Sequence, residues 1–154
     1  MIRQMLSDDL EQCEAIVRET MGDELADAFA RNVGGEEFDG KPYRIVVCDK
    51  YNQSLVLGLG GVVPDEMSLE TCWVAWFAVS VSAQGSGIGD MLMRRLLERA
   101  RCQGYKRIYV ETYDRPEFRR ARVFYDKRGF KPMGWLEGHH PSGKGSTFYM
   151  GMEL

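Results

Sequence analysis

The chain has 154 residues, a length that suits one domain with a single core and no need of a disulfide or metal staple. With 44% hydrophobic and 28% charged residues it has the makeup of a soluble globular protein rather than a fibrous or disordered one. A formal net charge of -3 offers no broad cationic field, which argues against nucleic acid as the main partner.

Cys13, Cys48, Cys72 and Cys102 form no CxxC pair and no disulfide framework, so buried free thiols in a reducing compartment are expected. Met1 to Asp9 is too polar for a signal peptide, and no apolar run approaches the ~20 residues of a membrane span. The cytoplasm is the expected location.

In chain order, Ile2 to Leu6 reads as a short strand. Asp8 followed by Glu11 has capping-box spacing, and Leu10, Cys13, Val17 and Met21 continue at helical intervals. A second helix opens at Gly22-Asp23, carries Leu25, Ala26, Phe29, Ala30 and Val33 on one side, and ends at Gly34-Gly35. The acidic stretch Glu36 to Gly40 is expected to be a loop. Tyr43 to Asp49 and Ser54 to Val63 read as a hairpin. Thr71 to Val81 is almost wholly apolar and is expected to be a central strand covered on both faces. Ile88, Leu92, Leu96 and Ala100 then line one stripe of a strong helix, with Arg94, Arg95, Arg99 and Arg101 opposite. Arg107 to Tyr113 alternates as a strand. Asp114, Pro116 and Glu117 signal another helix, which stops at Gly129. Phe130 to Leu136 and Ser146 to Leu154 close the chain as strands, joined by a polar loop from Gly138 to Gly145. The expected fold class is mixed α/β: one domain over residues 1–154, with a mostly antiparallel sheet of about seven strands flanked by helices. Residues 71–113 should form a parallel strand-helix-strand crossover.

Gln84-Gly85-Ser86-Gly87-Ile88-Gly89 lies between that central strand and the strong helix. Glycine lets the backbone approach a ligand or adopt positive φ, and the first amides of a helix lack internal partners at the positive end of the dipole. An anionic phosphate group suits such a place, although a tight turn with no ligand would look similar. The dinucleotide pattern fails because Asp90 stands where its last glycine belongs. The P-loop pattern fails because no lysine follows.

What remains, Q-x-x-G-x-G with Val79 five residues upstream, resembles the coenzyme A loop of the Gcn5-related N-acetyltransferase (GNAT) superfamily. Ala121-Arg122-Val123-Phe124-Tyr125-Asp126-Lys127-Arg128-Gly129-Phe130 is similar to that family's A-x-x-F-Y-x-x-x-G-F segment. Residues 71–130 carry the resemblance. It implies that acetyl-CoA is the co-substrate, that the loop amides from Gln84 to Gly89 hold its diphosphate, and that Phe77 and Val79 pair their backbone with its pantetheine arm. It further implies direct transfer to a primary amine in a ternary complex. Many members have asparagine seven residues before the tyrosine, where it touches the cofactor; here Phe118 stands there, which puts that contact in doubt.

Pairing of the arm with a strand edge would be β-augmentation, and a backbone N–H near Val79 could donate to the developing oxyanion. The resemblance marks Tyr125 as the acid for the departing thiolate, where helical spacing alone would leave it a packing tyrosine. The base is not fixed by the sequence: Glu70, Glu111, His139, His140 or a chain of waters could serve. The acceptor is not named either. Glu36, Glu37 and Asp39 could attract a cationic amine from one wall of its groove, and the loop around His139 and His140 could form the other. Adjacent histidines with no cysteine nearby are poor tetrahedral partners, so no metal is expected. The competing readings are a donor other than acetyl-CoA, with Trp73, Trp76 and Phe77 restricting the acyl pocket, and a catalytically silent CoA-binding module. The closing strands offer a route to a homodimer across a two-fold axis.

Overall fold

The computed structural model describes residues 1–35, 42–140 and 142–154. Among the described residues seven strands and four α-helices follow in the order β1 (Ile2–Gln4), α1 (Leu10–Met21), α2 (Asp23–Val33), β2 (Tyr43–Cys48), β3 (Val56–Pro64), β4 (Thr71–Val79), α3 (Ile88–Cys102), β5 (Arg107–Tyr113), α4 (Arg119–Lys127), β6 (Lys131–Leu136) and β7 (Thr147–Glu153). The strands form one sheet in the order β1-β2-β3-β4-β5-β7-β6. Every neighbouring pair is antiparallel except β4 and β5, joined in parallel through α3.

Helices cover both faces, which the period-two pattern of β2 shows directly. Ile45 and Val47 point into the cluster beneath α3 and α4, with Leu92, Met93, Leu96 and Tyr125. Val46 and Cys48 point the other way, into the cluster built with Cys13, Val17, Leu25 and Phe29 of α1 and α2. A continuous apolar strand is what burial on two faces requires. Cys13, Cys48 and Cys72 are buried, whereas Cys102, at the end of α3, is exposed.

Two local expectations are corrected. The cap before α1 is built on Asp9 instead of Asp8. Residues Ser7–Asp9 form a 3-10 turn, and the Asp9 carboxylate accepts from the Leu6 amide at 2.8 Å and from Arg3 at 2.6 and 2.7 Å. Pairing with Arg3 of β1 ties the start of α1 to the sheet edge. Burial opposes ionisation of Asp9, but Arg3 and the Leu6 amide outweigh it and hold the carboxyl below its usual range.

The second correction concerns β4. It is central and packs apolar residues into the clusters on both faces, yet β5 flanks only its first half. Thr71 to Val74 pair with Arg107 to Val110, and the two strands then part. On its other edge, Leu59 faces Ala78 while Gly61 faces Ala75, so β4 carries an extra residue there. Trp76 sits in this bulge with φ +52, the sole non-glycine residue at positive φ among the described residues. A bulge bends and twists its strand. Trp76 is held by an edge-on contact with Phe29 of α2, ring centroids 5.3 Å apart. The strand ends at Val79, short of Val81, in a 3-10 turn over Val81–Ala83.

Candidate active site

The glycine segment leaves β4 and turns into α3. Gly87 is its N-cap in the left-handed region, φ +85, and its carbonyl accepts the Met91 amide at 3.1 Å. Any other residue would be strained in that conformation, although a Cβ there would meet only open space. The amides of Gly85, Ser86 and Gly87 donate to no group among the described residues. Together with the first amides of α3 they present exposed donors at the positive end of a helix dipole. The remaining residues of the segment have other tasks. Ile88 is buried in the core. A Cβ on Gly89 would lie 3.0 Å from the Phe124 ring, so Gly89 lets α4 pack close to α3. Ser86 Oγ donates to the Ala83 carbonyl and stiffens the turn.

Gln84 anchors the segment from both ends of its amide. Nε2 donates to the Val79 carbonyl at 3.1 Å, and Oε1 accepts from Arg120 of α4 at 2.8 Å. Val79 is thus joined to the loop through its backbone, while its register partner is Gly58 of β3. Val81 is tied down by a residue absent from the sequence argument: its amide donates to Glu19 of α1 at 2.9 Å.

Where β4 and β5 part, a cleft of about 340 Å³ opens. Trp73, Ala75, Trp76 and Phe77 line it from β4, Glu111, Thr112 and Tyr113 from β5, Met21 and Leu25 from α1 and α2, and Phe118 and Tyr125 from the α4 side. Among the described residues Glu111 is the sole charged residue of that lining. It follows Val110, the last residue paired with β4, so its carboxylate stands at the fork of the two strands. Across β7 it faces Tyr149. Tyr125 is 4% exposed. Its ring packs on Phe130 at 5.6 Å and Phe77 at 6.0 Å, and burial pushes its phenol well above the usual tyrosine range. Tyr125 is therefore a neutral O–H donor at any ordinary pH. Tyr113 beside Glu111 is also pushed up, to about 12, chiefly by burial.

The structure does not bring the other proposed bases to this cleft. Glu70 is exposed at the far end of β4 from the glycine loop, where its carbonyl accepts the Lys106 and Arg107 amides. His139 is exposed, with Nδ1 3.1 Å from Thr147 Oγ1. His140 is buried behind Tyr113 with ring centroids 4.6 Å apart, and its Nδ1 lies 2.6 Å from Ser142 Oγ. Burial and the nearby Arg115 hold its pKa below the usual histidine value. Phe118 meets Tyr113 edge-on at 4.9 Å within the α1–α2 cluster, so its ring is a wall of the cleft. Trp73 is fixed by its indole N–H, which donates to Asp65 at 2.7 Å. Glu36, Glu37 and Asp39 lie outside the described residues. Among the described residues no cluster of three or more metal-ligating side chains occurs, and no helix is long and apolar enough to cross a membrane.

A sequence model of the acetyltransferase (GNAT) family matches residues 3–130. The chain belongs to that family. Its GNAT fold is shared with solved structures across nearly the whole length. A GNAT-family protein from Desulfovibrio desulfuricans is similar at a TM-score of 0.83 and 22% identity, covering 99% of this chain and 98% of the other. Ard1 from Thermoplasma volcanium is similar at 0.80 and 20%, covering 100% and 97%. An aminoglycoside 6'-N-acetyltransferase complexed with coenzyme A is similar at 0.74 and 18%, covering 99% and 96%. At these identities the likeness is one of fold. No curated protein matches the chain at a significant level.

Like Glu19, the bulge at Trp76 and the cation Arg120 are not foreseen from the sequence. Nothing in Trp73-Val74-Ala75-Trp76-Phe77 marks a bulge, because tryptophan is not a residue that favours positive φ. Arg120 did leave a signal: Arg119, Arg120 and Arg122 crowd the start of a helix whose tyrosine was already singled out.

Proposed function

We propose that this GNAT chain transfers the acetyl group of acetyl-CoA to a primary amine by direct attack in a ternary complex. The observation that carries the proposal is the parting of β4 from β5 after Val74 and Val110, with Tyr125 and Glu111 lining the resulting cleft. Beyond Val74 the edge of β4 that β5 has left is free to pair with an extended ligand. That edge leads to the glycine segment. The segment's amides suit the diphosphate of the donor, and the freed edge suits the amides of its pantetheine arm. A donor held at both places delivers its thioester to the cleft.

The chain's residues then have distinct tasks. A backbone N–H of β4 beyond the bulge donates to the thioester oxygen as negative charge develops there. The acceptor amine, with an unperturbed pKa near ~10.4, must lose a proton before it attacks. Glu111 is the acceptor for that proton, directly or through water, because among the described residues no other carboxylate lines the cleft. The amine nitrogen bonds to the acyl carbon and the carbon–sulfur bond breaks. The Tyr125 hydroxyl gives its proton to the departing thiolate, and the second proton leaving the acylated nitrogen returns to the phenolate, directly or through water.

The test is thiol release from acetyl-CoA, followed across polyamines, amino acids, aminoglycosides and peptides with free N-termini. Acceptor-dependent release is expected, with Tyr125→Phe at least tenfold slower at unchanged acetyl-CoA affinity. Acetyl-CoA binding with no release across the panel would establish the silent module instead. Full turnover in a folded Tyr125→Phe variant would remove Tyr125 from the chemistry.

A further inference from the structure

The anion site at the start of α3 has an electrostatic deficit. No basic residue occurs between Gln84 and Gly89, and the next residue is Asp90, a carboxylate in the first turn of α3. The helix dipole supplies only about half a positive charge, less than a diphosphate carries. Asp90 is neutralised by Arg128, whose guanidinium is committed to the protein: one terminal nitrogen is ion-paired to Asp90, the other donates to the Phe124 carbonyl at 2.8 Å, and the group lies over the Phe124 ring at 3.4 Å with its Nε buried. Arg128 therefore cancels the repulsion without adding attraction.

Arg120 is placed differently. It projects from the first turn of α4 and is exposed. Its hydrogen-bond partner among the described residues is the neutral Oε1 of Gln84, at 2.8 Å, and it has no carboxylate partner there. A guanidinium has five N–H donors in a fixed fork, so one bond to an amide leaves the charge and most of the donors unused. We propose that Arg120 is the cation of the donor site: it binds the diphosphate of coenzyme A from α4, opposite the loop amides, and so selects a nucleotide-bearing donor over a short thioester. This assignment rests on the transferase reading above and adds a residue from outside the glycine segment.

Calorimetry with coenzyme A on the wild-type chain, Arg120→Lys and Arg120→Ala tests it, with 3'-dephospho-CoA as a second ligand and pantetheine followed by ligand-observed NMR. Arg120→Ala is expected to weaken coenzyme A about tenfold to a hundredfold. Arg120→Lys should fall between, because it keeps the charge and loses the fork. The loss should be the same for 3'-dephospho-CoA and absent for pantetheine. Coenzyme A affinity within twofold of wild type in a folded Arg120→Ala variant would overturn the assignment. So would a loss that vanishes with 3'-dephospho-CoA, which would move the guanidinium to the ribose phosphate. An equal loss for pantetheine would also overturn it, since Arg120 would then act only through Gln84 on Val79. A wild-type chain that binds no coenzyme A would sink the transferase reading and this one with it, whereas binding indifferent to Arg120 sinks this one alone.

Discussion

Glu111 and Tyr125 face the same cleft from different surroundings, and their surroundings fit them to opposite proton tasks. Tyr125 is sealed among Phe77, Phe124 and Phe130, where an anion would be unsolvated, so it stays protonated and can only give a proton. Glu111 is exposed to solvent, and we propose that it takes the proton. Glu70 is equally exposed but lies at the far end of β4. The two carboxylates therefore make a paired prediction. Glu111→Gln should lower the acceptor-dependent rate by about 10²-fold, the range of a lost general base, with part of the rate returning as the pH approaches the amine's own pKa. Glu70→Gln should leave both rate and pH profile as they are. A slow Glu70→Gln enzyme, or a Glu111→Gln profile parallel to wild type, would give the base to another group.

The loop and the helix that follows it show how neighbouring glycines in one motif can serve different ends. Gly87 needs its positive φ and borders open space, whereas Gly89 has ordinary φ and lies under the Phe124 ring. Gly87→Glu should abolish acetyl-CoA binding by placing bulk and negative charge at the proposed diphosphate site. It should cost about 1 kcal/mol in folding stability from backbone strain alone. Gly89→Ala should instead destabilise by about 1–3 kcal/mol, because overpacking pushes α4 from α3. Denaturant melts and calorimetry on both variants separate the effects; equal losses of stability with equal losses of binding would contradict the division. Much at this scale was legible in the sequence. The stripe Ile88, Leu92, Leu96 and Ala100 marked α3, and the glycine punctuation marked the ends of α3 and α4. The bulge was not, because Trp76 occupies a backbone region that its side chain does not favour, held there by Phe29 from a different element. The parting of β4 from β5 was not legible either, because the apolar residues of β4 serve a cleft as well as a core. Glu70 and Glu111 could not be ranked without the β4–β5 register, a long-range property.

Across the whole molecule, the candidate donor site gathers parts that are far apart in the chain. The glycine segment follows β4, Arg120 and Tyr125 come from α4, Glu111 from β5, and Glu19 of α1 holds the turn at Val81. The sheet halves on either side of the fork are joined through only four residue pairs between β4 and β5. A ligand lying along the freed edge of β4 would bridge them, and any ligand that binds the native state alone stabilises it by mass action. At a concentration 100 times its dissociation constant, acetyl-CoA should add about 2.7 kcal/mol. For a chain of this size that corresponds to a rise of roughly 5–10 °C in the thermal midpoint. Gly87→Glu should show no such rise, and its own midpoint without ligand should lie about 2–4 °C below wild type. Amide exchange should slow most in β4 beyond Val74, in the glycine segment and in the first turn of α3. A thermal shift with protection confined to the polar recess of Glu24, Asp114, Arg115 and Lys144 would instead place the donor on the far side of Tyr113. That would exchange the donor and acceptor sides of the cleft.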